Sequence, residues 1–159
     1  LALYTKDLDP SVTLERFEKG AQGFHYSLDQ IIGWGNAVLA GQMQLATEEE
    51  ITLLSWLVED GVLKVKDGKL VSGGVVGHVL GAAPGRKRSV VLNLNHERLH
   101  VLWDEDKAFQ DEYIERWNAL SSEEKEAVYN QLSGYDRSNE MGIVEEWAVR
   151  QNESQDMDL

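Results

Sequence analysis

The sequence predicts an α+β protein that forms one small domain. Helical patterns come first, β-type patterns occupy the middle, and helical patterns return from residue 95 onward. This order lacks the strand–helix–strand rhythm of a parallel α/β fold. A length of 159 residues suits a single core. We therefore expect an N-terminal extension over residues 1–25, helices plus a β-hairpin or sheet over 26–94, a helical half over 95–151, and a polar tail over 152–159.

Two clear helical patterns precede the strands. Residues 27–39 carry apolar side chains at roughly helical spacing, and Ser27 is suited to cap the first turn. In residues 47–59, Thr47 and Glu50 have the spacing of a capping box. A shorter helix over residues 13–19 is also expected, within the N-terminal extension.

Three segments have the composition of β-strands. In residues 62–71, apolar and basic side chains alternate on either side of Asp67-Gly68, which predicts a tight hairpin. Residues 75–80 and residues 89–94 are short apolar runs rich in valine. We expect both to be strands, the second leading into the motif described below.

The C-terminal part of the chain predicts three further helices. They are expected over residues 109–120, 122–132 and 138–150, and Gly134 separates the last two. Apolar side chains recur along each of these segments at helical spacing.

The charge of the chain limits its partners. The formal net charge is −13, and residues 96–159 carry 17 acidic but only 6 basic side chains. Such a surface repels phosphate backbones, so nucleic acid is not an expected partner. No apolar run approaches the roughly 20 residues that cross a bilayer, so membrane insertion is not expected. We expect a soluble protein. Because the chain begins at Leu1, secretion or export to the periplasm after loss of a leader is an open alternative.

The absence of cysteine limits the chemistry. It excludes disulfides, thiolate metal ligands and a cysteine nucleophile. A transition-metal site in this chain must therefore use histidine and carboxylate ligands, a set that suits zinc.

The pentapeptide HERLH at residues 96–100 carries the strongest chemical signal. Residues four apart share one face of a helix, so His96 and His100 can reach the same cation. Glu97 can reach a water bound to that cation, take its proton, and pass the proton to a leaving amine. Asn95 has the character of an N-cap for this helix, and an earlier start near Asn93 is the alternative. No other histidine lies downstream, so a third ligand from that side must be a carboxylate.

The HERLH segment resembles the H-E-x-x-H signature of zincin metallopeptidases. In the gluzincin branch the third zinc ligand is a glutamate on a downstream helix, and residues 145–148, EEWA, look like the E-x-x-A pattern of several such families. The resemblance therefore implies Glu145 as the ligand, with Glu146 as the first alternative. Glu140 is the second alternative, because Asn139-Glu140 resembles the start of another gluzincin pattern. The resemblance covers these short motifs only.

A hydrolase of this type also needs a group that stabilises the oxyanion. Tyr135 and His78 are candidates for this role, and Tyr129 is a third, although Tyr129 is spaced like a core aromatic. The resemblance also implies a strand that pairs with an extended substrate, either residues 75–80 or residues 89–94.

The resulting expectation is a zinc-dependent metallopeptidase that acts on a peptide or protein substrate. His96, His100 and Glu145 would hold zinc, and Glu97 would be the general base. Two alternatives remain open: a metal-dependent amidase or deformylase, and a non-catalytic binding domain in which the motif is accidental or degenerate. Oligomeric state and substrate preference do not follow from the sequence.

Overall fold

The computed structural model describes residues 23–42, 47–82 and 90–153. The predicted helix over residues 13–19, most of the N-terminal extension and residues 154–159 of the polar tail lie outside these ranges. The described residues form an α+β fold with six helices and two antiparallel sheets of two strands each. The predicted fold class is therefore confirmed.

The elements follow the expected order. In the described residues they are β1 (Gly23–Ser27), α1 (Leu28–Leu39), α2 (Glu48–Glu59), β2 (Leu63–Lys66), β3 (Lys69–Ser72), β4 (His78–Ala82), α3 (Val90–Glu105), α4 (Lys107–Ala119), α5 (Ser122–Gln131) and α6 (Glu140–Asn152). Strand β1 pairs with β4, and β2 pairs with β3.

The contacts within the chain divide it into two compact units. Among the described residues, unit 1 is Tyr26–Val79, and unit 2 combines residues 23–25 with residues 80–153. The boundary between the units passes through β1 and β4. The expected single domain stays a prediction.

Unit 1 confirms the local signals of its sequence. Ser27 caps α1 and Thr47 caps α2, each in a reciprocal capping box. Asp67 and Gly68 both have positive φ, as a two-residue type I′ turn requires, and Lys66 pairs with Lys69 across it. The core consists of buried Leu28, Ile31 and Leu63 and a ring of partly buried apolar side chains, which are Tyr26, Ile32, Leu54, Leu57, Val58, Val62 and Val79.

An asparagine joins α1 to the hairpin within unit 1. The Asn36 side-chain amide donates to the Leu70 carbonyl oxygen at 2.9 Å, and its Oδ1 accepts from the Leu70 amide at 2.8 Å. The backbone N–H and C=O of Leu70, on the outer edge of β3, therefore both have a hydrogen-bond partner in the Asn36 side chain.

Unit 2 is built on helices α3, α4, α5 and α6. Its buried core is rich in aromatic and branched side chains, contributed by Trp103, Tyr113, Trp117, Val128, Leu132, Ile143, Val144 and Ala148. Trp117 and Trp147 pack with ring centroids 5.8 Å apart, and Tyr113 meets Trp147 edge to face at 5.6 Å. This core holds α3 and α6 together, the two helices that carry the H-E-x-x-H motif and the candidate third ligands.

The predicted strand over residues 89–94 is wrong. Helix α3 begins at Val90 and runs without a break through residues 96–100 to Glu105. Val90 and Val91 are exposed while Asn93 is buried, so the apolar run does not form a core strand. A short apolar run does not distinguish strand from helix, and packing decides between them. Asn95 is consequently a buried residue in the second turn of α3 and not its N-cap.

Other boundaries also differ from the predictions, and helix α4 begins at Lys107 and not at residue 109. Strand β4 begins at His78 and not at residue 75, because Gly74 and Gly77 have φ values of 102° and 154° that interrupt an extended chain. Helix α6 begins at Glu140, with Asn139 as its cap, and extends to Asn152 in the predicted polar tail. Residues 23–25 belong to β1 and to unit 2, not to a separate extension.

Helices long and apolar enough to span a bilayer are absent from the described ranges.

Candidate metal centre

Helix α3 presents two imidazoles to a common point. His96 and His100 lie one helical turn apart, and their Nε2 atoms are 3.1 Å from each other. The two rings meet edge to face, with centroids 4.8 Å apart. The helix dipole disfavours a cation in the first turn of a helix. Because α3 starts at Val90, His96 lies beyond that turn.

Helix α6 adds a carboxylate to the same point. Glu146 Oε2 lies 3.6 Å from His96 Nε2 and 3.5 Å from His100 Nε2. Tetrahedral zinc with bonds of about 2.0–2.1 Å separates its ligand atoms by roughly 3.3 Å. The three atoms therefore form a triangle of the size that a zinc ion spans, and His96, His100 and Glu146 are one of two groups in the described chain that could hold a metal.

The other oxygen of Glu146 is already engaged. Arg150, one turn further along α6, donates from Nε to Glu146 Oε1 at 2.6 Å. This bond fixes the rotation of the carboxylate and leaves Oε2 facing the imidazoles. Glu146 itself is almost completely buried, with 2% of its surface exposed, so its position is set by packing as well.

The remaining ring nitrogens of both histidines meet carboxylates. His100 Nδ1 contacts Glu145 Oε1 at 2.6 Å, and His96 Nδ1 contacts Glu153 Oε1. A carboxylate only accepts hydrogen bonds, so each Nδ1 is the protonated nitrogen of its ring. Nε2 is then the ring nitrogen that would bind a cation, in exchange for any proton it carries in the metal-free protein, as in the carboxylate–histidine–zinc arrangement.

The charges of the cluster favour a cation between the imidazoles. Burial disfavours the charged form of His100, but Glu145 and Glu146 outweigh it and raise the pKa of His100 to about 9. Burial likewise disfavours the charged form of Glu146, but the hydrogen bonds from His100 and Arg150 lower the pKa of Glu146 to about 2. Glu146 is therefore ionised at neutral pH and available as a ligand.

Tyr135 lies beside this carboxylate. Burial, together with the charge of Glu146 and a hydrogen bond to it, raises the pKa of Tyr135 to about 12. Its hydroxyl is consequently neutral at neutral pH. The structure thus brings Tyr135, predicted as an oxyanion stabiliser, to the same cluster as the two histidines.

Glu97 is buried under strand β1. Its Oε2 lies 3.0 Å from His25 Nδ1, and only 7% of its surface is exposed. His25 also stacks on His100, with ring centroids 4.9 Å apart and planes within 10° of parallel. The predicted general base is therefore held by a histidine that the motif does not contain.

A second group of possible ligands shares one of these histidines. His25, His100 and Glu145 have ligand atoms within 4.8 Å of one another. In this group the 2.6 Å contact of His100 Nδ1 with Glu145 has the length of a charge-assisted hydrogen bond. The arrangement accordingly suits a proton between the two atoms better than a metal ion.

The other predicted residues have different surroundings. Glu140 accepts a hydrogen bond from Trp117 Nε1 at 2.9 Å. Tyr129 packs edge to face on Trp117 at 5.7 Å, and His78 belongs to unit 1. Neither metal-capable group of the described residues includes any of the three.

Sequence reasoning missed three residues of the site: His25, Arg150 and Glu153. Arg150 follows Glu146 by four residues, a spacing that signals a helical ion pair. His25 was one of only two histidines outside the motif, which was the available signal. Nothing local in the sequence indicates that Glu153, just beyond the end of α6, meets His96.

Comparisons of this chain with family models, with curated proteins and with solved structures give no match.

Proposed function

We propose that this protein is a zinc-dependent hydrolase that cleaves peptide bonds in a peptide or protein substrate. The observation that carries the proposal is the triangle of His96 Nε2, His100 Nε2 and Glu146 Oε2, with edges of 3.1, 3.6 and 3.5 Å. Two nitrogens and one oxygen leave a fourth tetrahedral position for water, which is the pattern of catalytic zinc sites.

In this proposal Glu146 is the third ligand and Glu145 supports His100. Glu146 faces both Nε2 atoms, whereas Glu145 contacts the opposite nitrogen of His100. Glu153 plays the corresponding part for His96. These two outer carboxylates fix the tautomer and the orientation of each imidazole.

Glu97 is the proposed general base. When bound, zinc would polarise the scissile carbonyl and make a bound water acidic near neutral pH. Glu97 lies on α3 next to His96, and its carboxylate would accept a proton from that water and deliver it to the leaving amine. Tyr135, neutral and beside Glu146, would donate a hydrogen bond to the oxygen that gains charge.

Metal content is the first test. Protein purified without chelator or added metal is analysed for elements, beside a His96→Ala, His100→Ala variant and a His78→Ala control. We expect about one zinc per chain in the parent and in the control, and none in the double variant. A parent that stays metal-free after zinc is offered and the excess removed would contradict the proposal and favour a non-catalytic binding domain.

Cleavage of fluorescein-labelled casein is the second test. We expect Glu97→Gln to keep its zinc and to lose most of its turnover, because the amide cannot take a proton. Glu115→Gln, an exposed change on α4, is the matched control. Full activity of Glu97→Gln would contradict the assigned base. Zinc binding without casein cleavage would favour a metal-dependent amidase or deformylase.

A further inference from the structure

Strand β1 contacts the candidate centre through one of its faces. Successive side chains of a strand point to opposite sides, so residues 23 and 25 face the same way. Both of them meet Glu97. Phe24 between them lies against Gly81 of the paired strand β4. On one face of β1, Phe24 therefore covers Gly81 of β4, and the other face lies against Glu97 of the motif helix.

Gly23 allows the close approach of strand and carboxylate. A Cβ atom built at this position would overlap Glu97 Oε1 and lie 2.9 Å from Glu97 Cδ. Contacts that short do not occur between real side chains, so any larger residue here would displace the Glu97 carboxylate. The backbone of β1 thus forms one wall around Glu97.

His25 fixes the other oxygen of the same carboxylate. Its Nδ1 lies 3.0 Å from Glu97 Oε2, and because a carboxylate only accepts, Nδ1–H is the donor. The His25 ring also stacks on His100, at 4.9 Å between centroids. His25 therefore contacts the predicted base and a predicted metal ligand at once.

We propose that His25 is a positioning residue of the hydrolytic site, which holds the Glu97 carboxylate in place through its Nδ1–H donor. This inference rests on the proposed function. The donor role excludes His25 as a metal ligand through Nδ1, since that atom carries the hydrogen. It also gives a specific expectation for replacements: an asparagine amide at residue 25 reproduces a donor close to Nδ1, and alanine does not.

The test compares His25→Ala with His25→Asn in two measurements and uses His25→Ala alone in a third. Zinc affinity, measured by competition with a chromophoric chelator, is expected to stay within about threefold of the parent in both variants, because neither change removes a ligand. Turnover of fluorescein-labelled casein is expected to fall at least tenfold in His25→Ala, with KM within about twofold. His25→Asn is expected to recover most of that kcat.

The third measurement needs no activity. A double-mutant cycle of His25→Ala with Glu97→Ala, read by urea unfolding of the metal-free protein, is expected to show a coupling of about tenfold in the unfolding equilibrium. A coupling below twofold would overturn the inference. So would a His25→Asn variant as slow as His25→Ala, which would assign the role to the ring or to Nε2.

The outcomes separate the inference from the proposed function. A parent that binds no zinc ends the proposed function, and the inference with it, before any His25 variant is made. A parent that binds zinc and cleaves casein, with His25→Ala equally active, ends the inference alone. A hundredfold loss of zinc affinity in His25→Ala would also overturn the inference, because it would identify His25 as a ligand together with His100 and Glu145.

Discussion

The two compact units bury different kinds of side chain. Unit 1 buries apolar residues, and its helix α2 has no fully buried residue, with Trp56 61% exposed. Unit 2 contains every buried amide or charged side chain found in the described residues, and these are Asn93, Asn95, Glu97 and Glu146. All four belong to α3 or α6.

This difference identifies where the molecule carries an energetic cost. A buried carboxylate is unfavourable unless it is paired and hydrogen-bonded. Glu146 meets this requirement through Arg150 and the two motif histidines, and Glu97 meets it through His25. Apolar burial in the aromatic core of unit 2 offsets the cost of burying these two carboxylates. Unit 1 buries no carboxylate among the described residues. Buried charge of this kind is typical of functional sites.

The largest expected effect comes from the core of unit 2. Trp117 is 2% exposed and packs on Trp147, so Trp117→Ala is expected to lower the free energy of unfolding by about 3–5 kcal/mol. Trp56→Ala in unit 1 is the matched control and is expected to change it by less than about 0.5 kcal/mol. Urea unfolding followed by circular dichroism measures both. Similar losses in the two variants would break the comparison between the units.

The second expected effect separates the two adjacent glutamates of α6. Zinc sites in small proteins bind the ion with about 10–16 kcal/mol, shared among all of the ligands. Removing one ligand, as in Glu146→Gln, is therefore expected to lower zinc affinity on the order of 100- to 1000-fold. Glu145→Gln removes only the negative charge beside His100 Nδ1 and keeps an oxygen that accepts from it, so zinc affinity is expected to fall by about 10-fold. Chelator competition measures both affinities. The reverse order would restore Glu145 as the ligand and reject the triangle described above.

The third effect is a pH dependence of the metal-free protein. The pKa of His100 rises from 6.5 to about 9 on folding, so the charged imidazole stabilises the fold fully below pH 6.5, and this contribution is lost as the pH rises through 9. We expect the free energy of unfolding to fall by about 1–3 kcal/mol over that range.

Urea unfolding at pH 6 and pH 9.5 measures the change. The variant His100→Gln should show a smaller difference between the two pH values, since it lacks the titrating group. An equal slope in parent and variant would mean that His100 is not the source. Exposed histidines would show no such dependence, so the result also tests whether unit 2 buries a paired charge.

Local signals predicted much of the fold, and tertiary packing decided the rest. The capping box of Thr47 with Glu50 and the turn at Asp67-Gly68 depend on neighbouring residues, and both were confirmed. The segment at residues 89–94 depends on what packs against it, and its helix was not predicted. Element type is readable from sequence where its cause is local.

The same distinction applies to the candidate site. The spacing of His96 and His100 places both on one face of any helix, so their convergence followed from the sequence. The choice between Glu145 and Glu146 depends on the rotation of α6 about its axis, which only packing against α3 sets. His25 reaches Glu97 from 72 residues away through the path of β1, and no local pattern contains that information.

The smallest expected effect concerns a buried amide next to the motif. Asn95 is 2% exposed, and neither its Oδ1 nor its Nδ2 has a hydrogen-bond partner within the described part of the chain. A buried polar group left unpaired costs about 1–3 kcal/mol. Asn95→Leu, which has a similar volume, is therefore expected to raise the free energy of unfolding by about 1 kcal/mol.

Urea unfolding of Asn95→Leu beside Asn152→Leu tests this expectation. Asn152 is the matched control because its amide donates to Tyr113 and to the Ala148 carbonyl at 2.7 Å each, so its loss should destabilise the protein. If Asn95→Leu is stabilising and its zinc affinity is unchanged, the buried amide of Asn95 destabilises unit 2 and contributes nothing to zinc binding. If it destabilises the protein or weakens zinc, Asn95 has a partner that supports the site, and the polar burial in unit 2 is paired throughout.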